Sequence, residues 1–245
     1  MSSLSVLSVA ALVSLSLAAV AGTRLLADRG TDMIDSGNFT LFQGGVRIGE
    51  ERFVIHSDRA GDAGPIFRAR ADLSLKLEGQ TMRVNVALEA LGTACRPRRY
   101  EAKVDGPDAM SVVTTFAGNR MTHEFRTSAG YEREEALVRG KAVILDRNIA
   151  HHYFFAGRLA DCETSGVVNV IVPRDRYLEQ ARIVDRGVDS QTVEGRALEL
   201  HHLEIISSSG TSRHVWLDGD RVIKIEVPEE GFMAVRSRTA TQPTN

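Results

Sequence analysis

The sequence predicts a mainly β protein: a large, strongly curved antiparallel sheet or half-open barrel, with one helix packed against its concave face. Three observations lead to this prediction. Apolar and polar residues alternate with a period of two over most of the chain after Asp35, which is typical of half-buried strands. Short turns rich in glycine separate these segments, so consecutive strands are expected to be neighbours. A single stretch, residues 146–160, has helical spacing instead.

Composition places the chain among ordinary globular proteins. Of 245 residues, 43% are hydrophobic and 25% are charged, which excludes disordered and collagen-like chains. The 30 basic and 32 acidic residues give a net charge of -2. No broad electropositive field is available to hold nucleic acid, so we expect no nucleic-acid partner.

The amino terminus predicts export. Residues 4–21 form an uncharged apolar run that closes on Ala19-Val20-Ala21, the small residues that a signal peptidase reads. We therefore expect a signal peptide over residues 1–21, or to residue 27 if cleavage falls at Ala27-Asp28. The preceding Met1-Ser2-Ser3 has no Lys or Arg, so an uncleaved membrane anchor stays open. The expected location is periplasmic or secreted, with no transmembrane span after cleavage.

The first half of the mature chain is expected to be a meander of strands. Residues 67–77 and 82–89 alternate strictly on either side of Glu78-Gly79, which predicts a long antiparallel hairpin. The other strands expected before the helix cover residues 39–42, 46–48, 53–55, 99–104, 110–116, 121–126 and 131–138.

The helix is expected over residues 146–160, with Asp146 or Asn148 as its N-cap. Its aromatic side, Tyr153 to Phe155, must be covered by the sheet, because an exposed aromatic cluster would favour aggregation. Strands are then expected over residues 167–172, 181–185, 192–193, 197–207, 211–217, 221–227 and 232–236. No linker divides the chain, so residues 36–237 are predicted to form one domain, followed by a disordered tail at 238–245.

The two cysteines, Cys95 and Cys162, are disulfide candidates in an oxidising compartment. Two separate buried thiols are an equal alternative, because the sequence does not show whether the two backbones approach within bonding range.

Several spacings point to a known kind of protein. They are Gly45-x-x-x-Gly49-x-x-x-Phe53, Val170-Ile171-Val172-Pro173, and Trp216-x-Asp218 followed by Pro228-x-x-Gly231-x-x-x-x-Arg236. In these three spacings the chain resembles an uncharacterised family of exported bacterial proteins. That family is similar in architecture to the LolA and LolB lipoprotein carriers. The resemblance implies a curved antiparallel sheet around helical segments over a hydrophobic cavity. It implies a fold more than an activity, and this chain departs from the carriers in having one clear helix.

No catalytic or cofactor motif is present: the sequence has no P-loop, G-x-S-x-G or G-x-G-x-x-G. Neighbouring side chains diverge on helices and strands, so His151-His152 and His201-His202 are not expected to share a metal ion. For the same reason Glu50-Glu51 is expected to be a solvated pair of charges rather than a site. We expect no enzyme activity, no cofactor and no metal.

The function predicted from these observations is non-catalytic binding of a lipid or acyl chain in the curved sheet, in an exported cell-envelope protein. Such a site needs only hydrophobic burial and would leave no polar motif. Its expected lining is Leu73, Leu75, Leu77, Val84, Val86, Leu88, Tyr153, Phe154 and Phe155. Three alternatives remain: the same residues fill an ordinary core, the chain is an envelope assembly factor that binds protein partners through a sheet edge, or it is a periplasmic enzyme.

Overall fold

The computed structural model describes residues 31–59, 64–77, 79–162 and 166–237. The predicted signal peptide and the predicted tail lie outside the described residues. Within these ranges the chain forms fifteen strands and one α-helix. The strands are β1 (Thr31–Gln43), β2 (Val46–Arg59), β3 (Pro65–Leu77), β4 (Gln80–Leu91), β5 (Arg96–Asp105), β6 (Met110–Ala117), β7 (Arg120–Thr127), β8 (Gly130–Leu137), β9 (Lys141–Ile144), β10 (Val167–Val172), β11 (Tyr177–Val193), β12 (Arg196–Ser207), β13 (Ser212–Asp218), β14 (Arg221–Val227) and β15 (Phe232–Ser237), and the helix is α1 (Tyr153–Cys162).

All fifteen strands belong to one sheet, in the order β8-β7-β6-β5-β4-β3-β2-β1-β15-β14-β13-β12-β11-β10-β9. Neighbours are antiparallel except β9 and β10, which run parallel. Because β1 pairs with β15, the first and last strands lie side by side in the middle of the sheet. The sheet curls into a barrel-like shape, and this confirms the predicted fold class.

The core lies on the concave face. On β3 every second residue from Phe67 to Leu75 is buried, while the residues between them, such as Arg68 and Arg70, are exposed. The same alternation on neighbouring strands gives one contiguous apolar core. Gly49 on β2 allows the close approach of β3, because a Cβ at that position would lie 2.0 Å from the carbonyl oxygen of Ser74.

Helix α1 lies inside the curved sheet. Phe154 packs against Phe67 of β3 with ring centroids 6.1 Å apart, and Gly157 faces Leu217 of β13. The predicted start of the helix was wrong by seven residues, because residues 146–152 form tight turns, not helix. Neither Asp146 nor Asn148 is the N-cap, and the left-handed backbone of Asn148 (φ 58°) excludes it from a helix.

We call the end of the barrel where α1 begins the upper rim, and the end where α1 finishes the lower rim. Two hairpins turn at the upper rim through short 3-10 helices, Pro173–Asp175 and Pro228–Glu230. In both 3-10 helices, proline occupies the first position. The residue after each helix has a left-handed backbone conformation: Arg176 in one turn and Gly231 in the other. The shared pattern Val-Pro-x-x-x-aromatic therefore encodes two equivalent turns.

The barrel closes without a ladder between its terminal strands. β8 pairs only with β7 in the described sheet, and β9 only with β10. At the seam, β9 lies near β5 and the Pro173–Asp175 turn lies near β6. Arg176, at the end of that turn, forms ion pairs with Glu132 and Glu134 of β8. The Arg176 guanidinium also lies 4.1 Å from the ring centroid of Phe125. Side-chain contacts thus replace backbone hydrogen bonds at this point.

The hairpin of β11 and β12 is longer than its neighbours, and its outer part, residues 187–200, is here called the arm. The arm contacts the outer face of the sheet. The Trp216 indole donates a hydrogen bond to Asp189 (3.1 Å), and the Lys224 ammonium donates to Gln191 (2.9 Å). A second, small apolar cluster is therefore formed under the arm by Val193, Leu200 and Trp216.

Candidate functional site

The helix is anchored inside the barrel by a buried carboxylate. Glu51 points inward from β2, in the same alternate phase as Phe53, and is 0% exposed. It accepts hydrogen bonds from the backbone N–H groups of Ala150 (2.6 Å) and His151 (2.9 Å) and from Nδ1 of His151 (2.8 Å). Glu51 therefore satisfies free N–H groups just ahead of α1 from a distant strand. The prediction of two solvated glutamates was wrong for Glu51, although Glu50 is exposed.

A second buried carboxylate, Asp146, lies at the centre of a polar network. It accepts hydrogen bonds from the hydroxyl of Tyr100, from Nε of Arg174 (2.7 Å) and from the backbone N–H of Arg147 (3.0 Å). Its own backbone N–H donates to Nδ1 of His152 (3.3 Å). This network fixes the turns that lead into α1 against β5 and the Pro173–Asp175 turn.

Burial sets the protonation of the network. Burial, together with the neighbouring His151 and Arg174, lowers the pKa of His152 well below its ordinary value. Burial and the adjacent Asp146 raise the pKa of Tyr100 well above its ordinary value. Burial alone would lower the pKa of Arg174, but Asp146 outweighs it and the pKa is raised. At neutral pH the network therefore holds a neutral imidazole, a neutral phenol and one ion pair.

The Glu51–His151 pair has the geometry that orients an imidazole as a base, but it has no access for a substrate. His151 and His152 are 1% and 0% exposed, and Nε2 of each is buried with no hydrogen-bond partner among the described residues. A catalytic base must reach the proton that it removes. In this arrangement the pair can hold α1 in place, and it cannot act on a molecule in solvent.

Beside this network, a pocket of about 290 Å³ opens at the upper rim, and we call it the rim pocket. Its lining combines apolar and polar residues. The apolar residues are Leu145, Val172, Val227 and Phe232, and the polar ones are Asp146, Arg147, Asn148, Tyr153, Asp175, Tyr177, Glu179, Ser209, Thr211, Arg213 and Glu230. The pocket is thus an extension of the apolar core that reaches the polar rim.

A buried ion pair forms one wall of the rim pocket. The Arg213 guanidinium donates hydrogen bonds to Glu179 (3.3 Å) and to the hydroxyl of Ser207 (2.6 Å). Burial would raise the pKa of Glu179, but hydrogen bonds from Ser207 and Ser209 and the charge of Arg213 outweigh it, so the pKa is lowered. Burial raises the pKa of Tyr153, which lies on the same wall. The wall therefore presents a fixed carboxylate, a fixed guanidinium and a neutral phenol.

The nine residues predicted to line a ligand site lie together in the structure. Eight are buried in the contiguous core, and Leu77 is half-buried at its edge. Of the nine, Tyr153 lines the rim pocket. The strands bring them together as the alternation predicts, and their role in binding a ligand stays a prediction.

The charged residues of the site were missed by sequence reasoning, although a signal was present. Arg213 shares the inward phase of β13 with Val215 and Leu217, just as Glu51 shares the phase of Phe53 on β2. A charged residue in an apolar phase must find a partner in the core. Its partner comes from a distant part of the chain, which alternation alone does not identify.

Two further findings bear on function. Within the part of the chain that the structure describes, no three His, Cys, Asp or Glu side chains are placed to share a metal ion. Within the described residues, the α-helix α1 has ten residues and is too short to cross a membrane.

Comparison with known proteins agrees with the fold. The chain is similar to the crystal structure of a beta-barrel-like protein of the domain of unknown function DUF1849 from Brucella abortus, with a TM-score of 0.51 and 7% identity. The match covers 83% of this chain and 95% of that chain. No family model matches, and no curated protein matches.

The fold therefore defines the class: a β-barrel-like domain, similar in structure to a bacterial protein of a domain of unknown function. At this identity the match shows the fold alone. A link to the LolA and LolB carriers is not shown and stays a prediction from the sequence.

Proposed function

We propose that this is an exported, non-catalytic protein of the cell envelope that binds an acyl chain or similar amphipathic ligand at the rim pocket. The observation that carries the proposal is the position of this pocket. Helix α1 occupies the concave face of the sheet, and the rim pocket is where the apolar core meets the polar rim.

The apolar side of the pocket supports a hydrophobic ligand. Val172, Val227 and Phe232 belong to the contiguous core and also line the pocket. A chain end placed against them would be stabilised by roughly 0.8 kcal/mol for each buried methylene group. The volume of about 290 Å³ is at the lower end for small-molecule sites, which suits the end of a chain rather than a whole lipid.

The polar side supports orientation rather than catalysis. Arg213 and Glu179 already satisfy each other, so neither is a free acid or base at neutral pH. Two described imidazoles are hydrogen-bonded to a carboxylate: His151, which is buried, and His201, which pairs with Asp185 (2.7 Å). Neither is among the residues that line this pocket. The wall can therefore hydrogen-bond a polar head group while it leaves the ligand unchanged.

Native mass spectrometry of the mature protein, purified from the envelope of its host, tests this function. The wild type is expected to carry a stoichiometric apolar adduct. Thr211→Trp, which fills the rim pocket from its wall, should lose the adduct, while Thr81→Trp, at an exposed position on β4, should retain it. A clean apo mass for the wild type, unchanged after incubation with host lipids, would contradict the proposal.

A second candidate function is protein binding through the free edge of β8, which is exposed along nearly its whole length. Charged residues such as Glu132, Arg133 and Glu135 occupy this edge, and charges discourage pairing with another strand. The ligand-binding function is therefore preferred. Crosslinking from position 133 in the host envelope, with a defined partner captured at that edge, would reverse the preference.

A further inference from the structure

A cleft of about 550 Å³ lies between the arm and the lower rim of the sheet, and we call it the arm cleft. It is distinct from the rim pocket and shares none of its residues. Its lining comes from the arm and from the lower-rim ends of β1, β14 and β15: Ser36, Val193, Glu194, Arg196, Leu198, Arg221, Ile223, Arg236 and Ser237.

The arm cleft carries positive charge that the fold does not neutralise. Arg236 is paired with Asp35 through two hydrogen bonds (2.6 and 2.9 Å), so its charge is satisfied. Arg221 is 67% exposed, and its nearest carboxylate, 4.0 Å away, is the same Asp35. Arg196 is exposed and forms no ion pair with any described residue. Glu194 is the single acidic residue among those that line the cleft.

An apolar shelf lies beside Arg196 and Arg221. Leu198 is a large hydrophobic residue that is 37% exposed, two positions along β12 from Arg196. Ile223 stands at an irregularity in the pairing of β13 with β14 and packs against the cluster of Val193, Leu200 and Trp216. The shelf thus continues from the small apolar cluster under the arm.

We propose that the arm cleft binds an anionic amphiphile, with its phosphate or carboxylate head between Arg196 and Arg221 and its apolar chain on Leu198 and Ile223. Two guanidinium groups from different elements can each donate hydrogen bonds to one anionic head group. The adjoining shelf explains why the ligand carries a chain, because a free inorganic anion would leave that apolar surface in water.

The experiment uses three probes: dodecyl phosphate below its micelle concentration, inorganic phosphate, and the neutral detergent dodecyl maltoside. Trp216 is the single tryptophan of the chain and lies in the cluster that floors the cleft, so its fluorescence reports binding. Dodecyl phosphate is expected to bind, and the other two probes are expected to bind at least about tenfold more weakly. Equal binding of inorganic phosphate would overturn the role of the shelf, and equal binding of the neutral detergent would overturn the anion site.

Variants separate this cleft from the rim pocket. The double variant Arg196→Gln/Arg221→Gln is expected to weaken dodecyl phosphate binding by about tenfold or more. The control Arg70→Gln/Arg182→Gln removes the same charge from exposed positions on β3 and β11 and should bind like the wild type. Thr211→Phe, which narrows the rim pocket without adding a second tryptophan, should also bind like the wild type in this assay. Loss of binding in Thr211→Phe, with none in the arginine double variant, would overturn the arm cleft and leave the rim pocket standing.

Discussion

A single carboxylate on β2 decides how the internal helix is held. Glu51 accepts three hydrogen bonds from residues about 100 positions away, and water cannot replace it at 0% exposure. We expect Glu51→Gln to lower the free energy of unfolding by about 3 kcal/mol, because it leaves buried donors without a charged acceptor. Denaturant unfolding measures this.

The neighbouring residue provides the control for that variant. Glu50 lies on the opposite face of β2, where its side chain is 60% exposed and paired with Arg47. Glu50→Gln should change the free energy of unfolding by no more than about 0.5 kcal/mol. Equal effects of the two variants would contradict the anchoring role of Glu51.

The buried His152 makes stability depend on pH. Because its folded pKa is well below the ordinary value of 6.5, the unfolded chain takes up a proton at a higher pH than the folded chain does. The stability that neutral His152 contributes is therefore complete above about pH 6.5 and is lost as pH falls further. In His152→Gln we expect the slope of unfolding free energy against pH below 6.5 to fall by roughly 1.4 kcal/mol per pH unit. His123 and His202, whose pKa values burial also lowers, leave a residual slope. An unchanged slope would contradict the assignment.

At the scale of elements, the strands were predicted far better than the segment between β8 and β10. Alternation locates a strand with one solvated face, as on β3, because the outward residues are polar. β9 was missed because it has four residues and three are buried, so no alternation is visible. The start of α1 was missed because Glu51 accepts hydrogen bonds from the backbone N–H groups of Ala150 and His151 in the turns ahead of the helix. A local N-cap pattern does not report a partner on another strand.

The two cysteines are placed so that they could fix the other end of α1. Cys95 lies in the turn between β4 and β5 at the lower rim, and α1 ends at Cys162 at the same rim; the Cys162 side chain lies outside what the structure describes. We predict that the protein carries a Cys95–Cys162 disulfide in the oxidising compartment to which we propose that it is exported. Reduction should lower the free energy of unfolding by about 4 kcal/mol, since the bond closes a long loop.

Mass spectrometry of the unreduced, denatured protein after alkylation measures that bond directly. The wild type is expected to take no alkyl group until it is reduced. The control Cys95→Ser/Cys162→Ser should have an unfolding free energy that is insensitive to reductant. Alkylation of both wild-type thiols without reduction would contradict the prediction.

At the scale of the whole molecule, the class of fold could be predicted and its closure could not. Turn glycines and alternation predict that neighbours in sequence are neighbours in the sheet, which holds for nearly every pair. The pairing of β1 with β15 and the position of the seam depend on how far the sheet curls, which is a property of all the strands together. The rim pocket and the arm cleft both form where distant elements meet, so alternation along single strands does not reveal them.

Side chains close the seam, where a ladder is missing, so we expect the barrel to open there first. Arg176 pairs with two glutamates of β8 and packs on Phe125, and its hydrogen bond holds the pKa of Glu132 below the usual range. Arg176→Gln should increase amide hydrogen exchange in β8 by about fivefold and leave β3 and β4 unchanged, because local opening tracks local contacts.

Arg133→Gln is the matched control: it removes an ion pair within β8 that does not cross the seam. If β8 exchanges at the wild-type rate in Arg176→Gln, the seam is held by other contacts; if β3 and β4 also exchange faster, closure is coupled to the entire sheet.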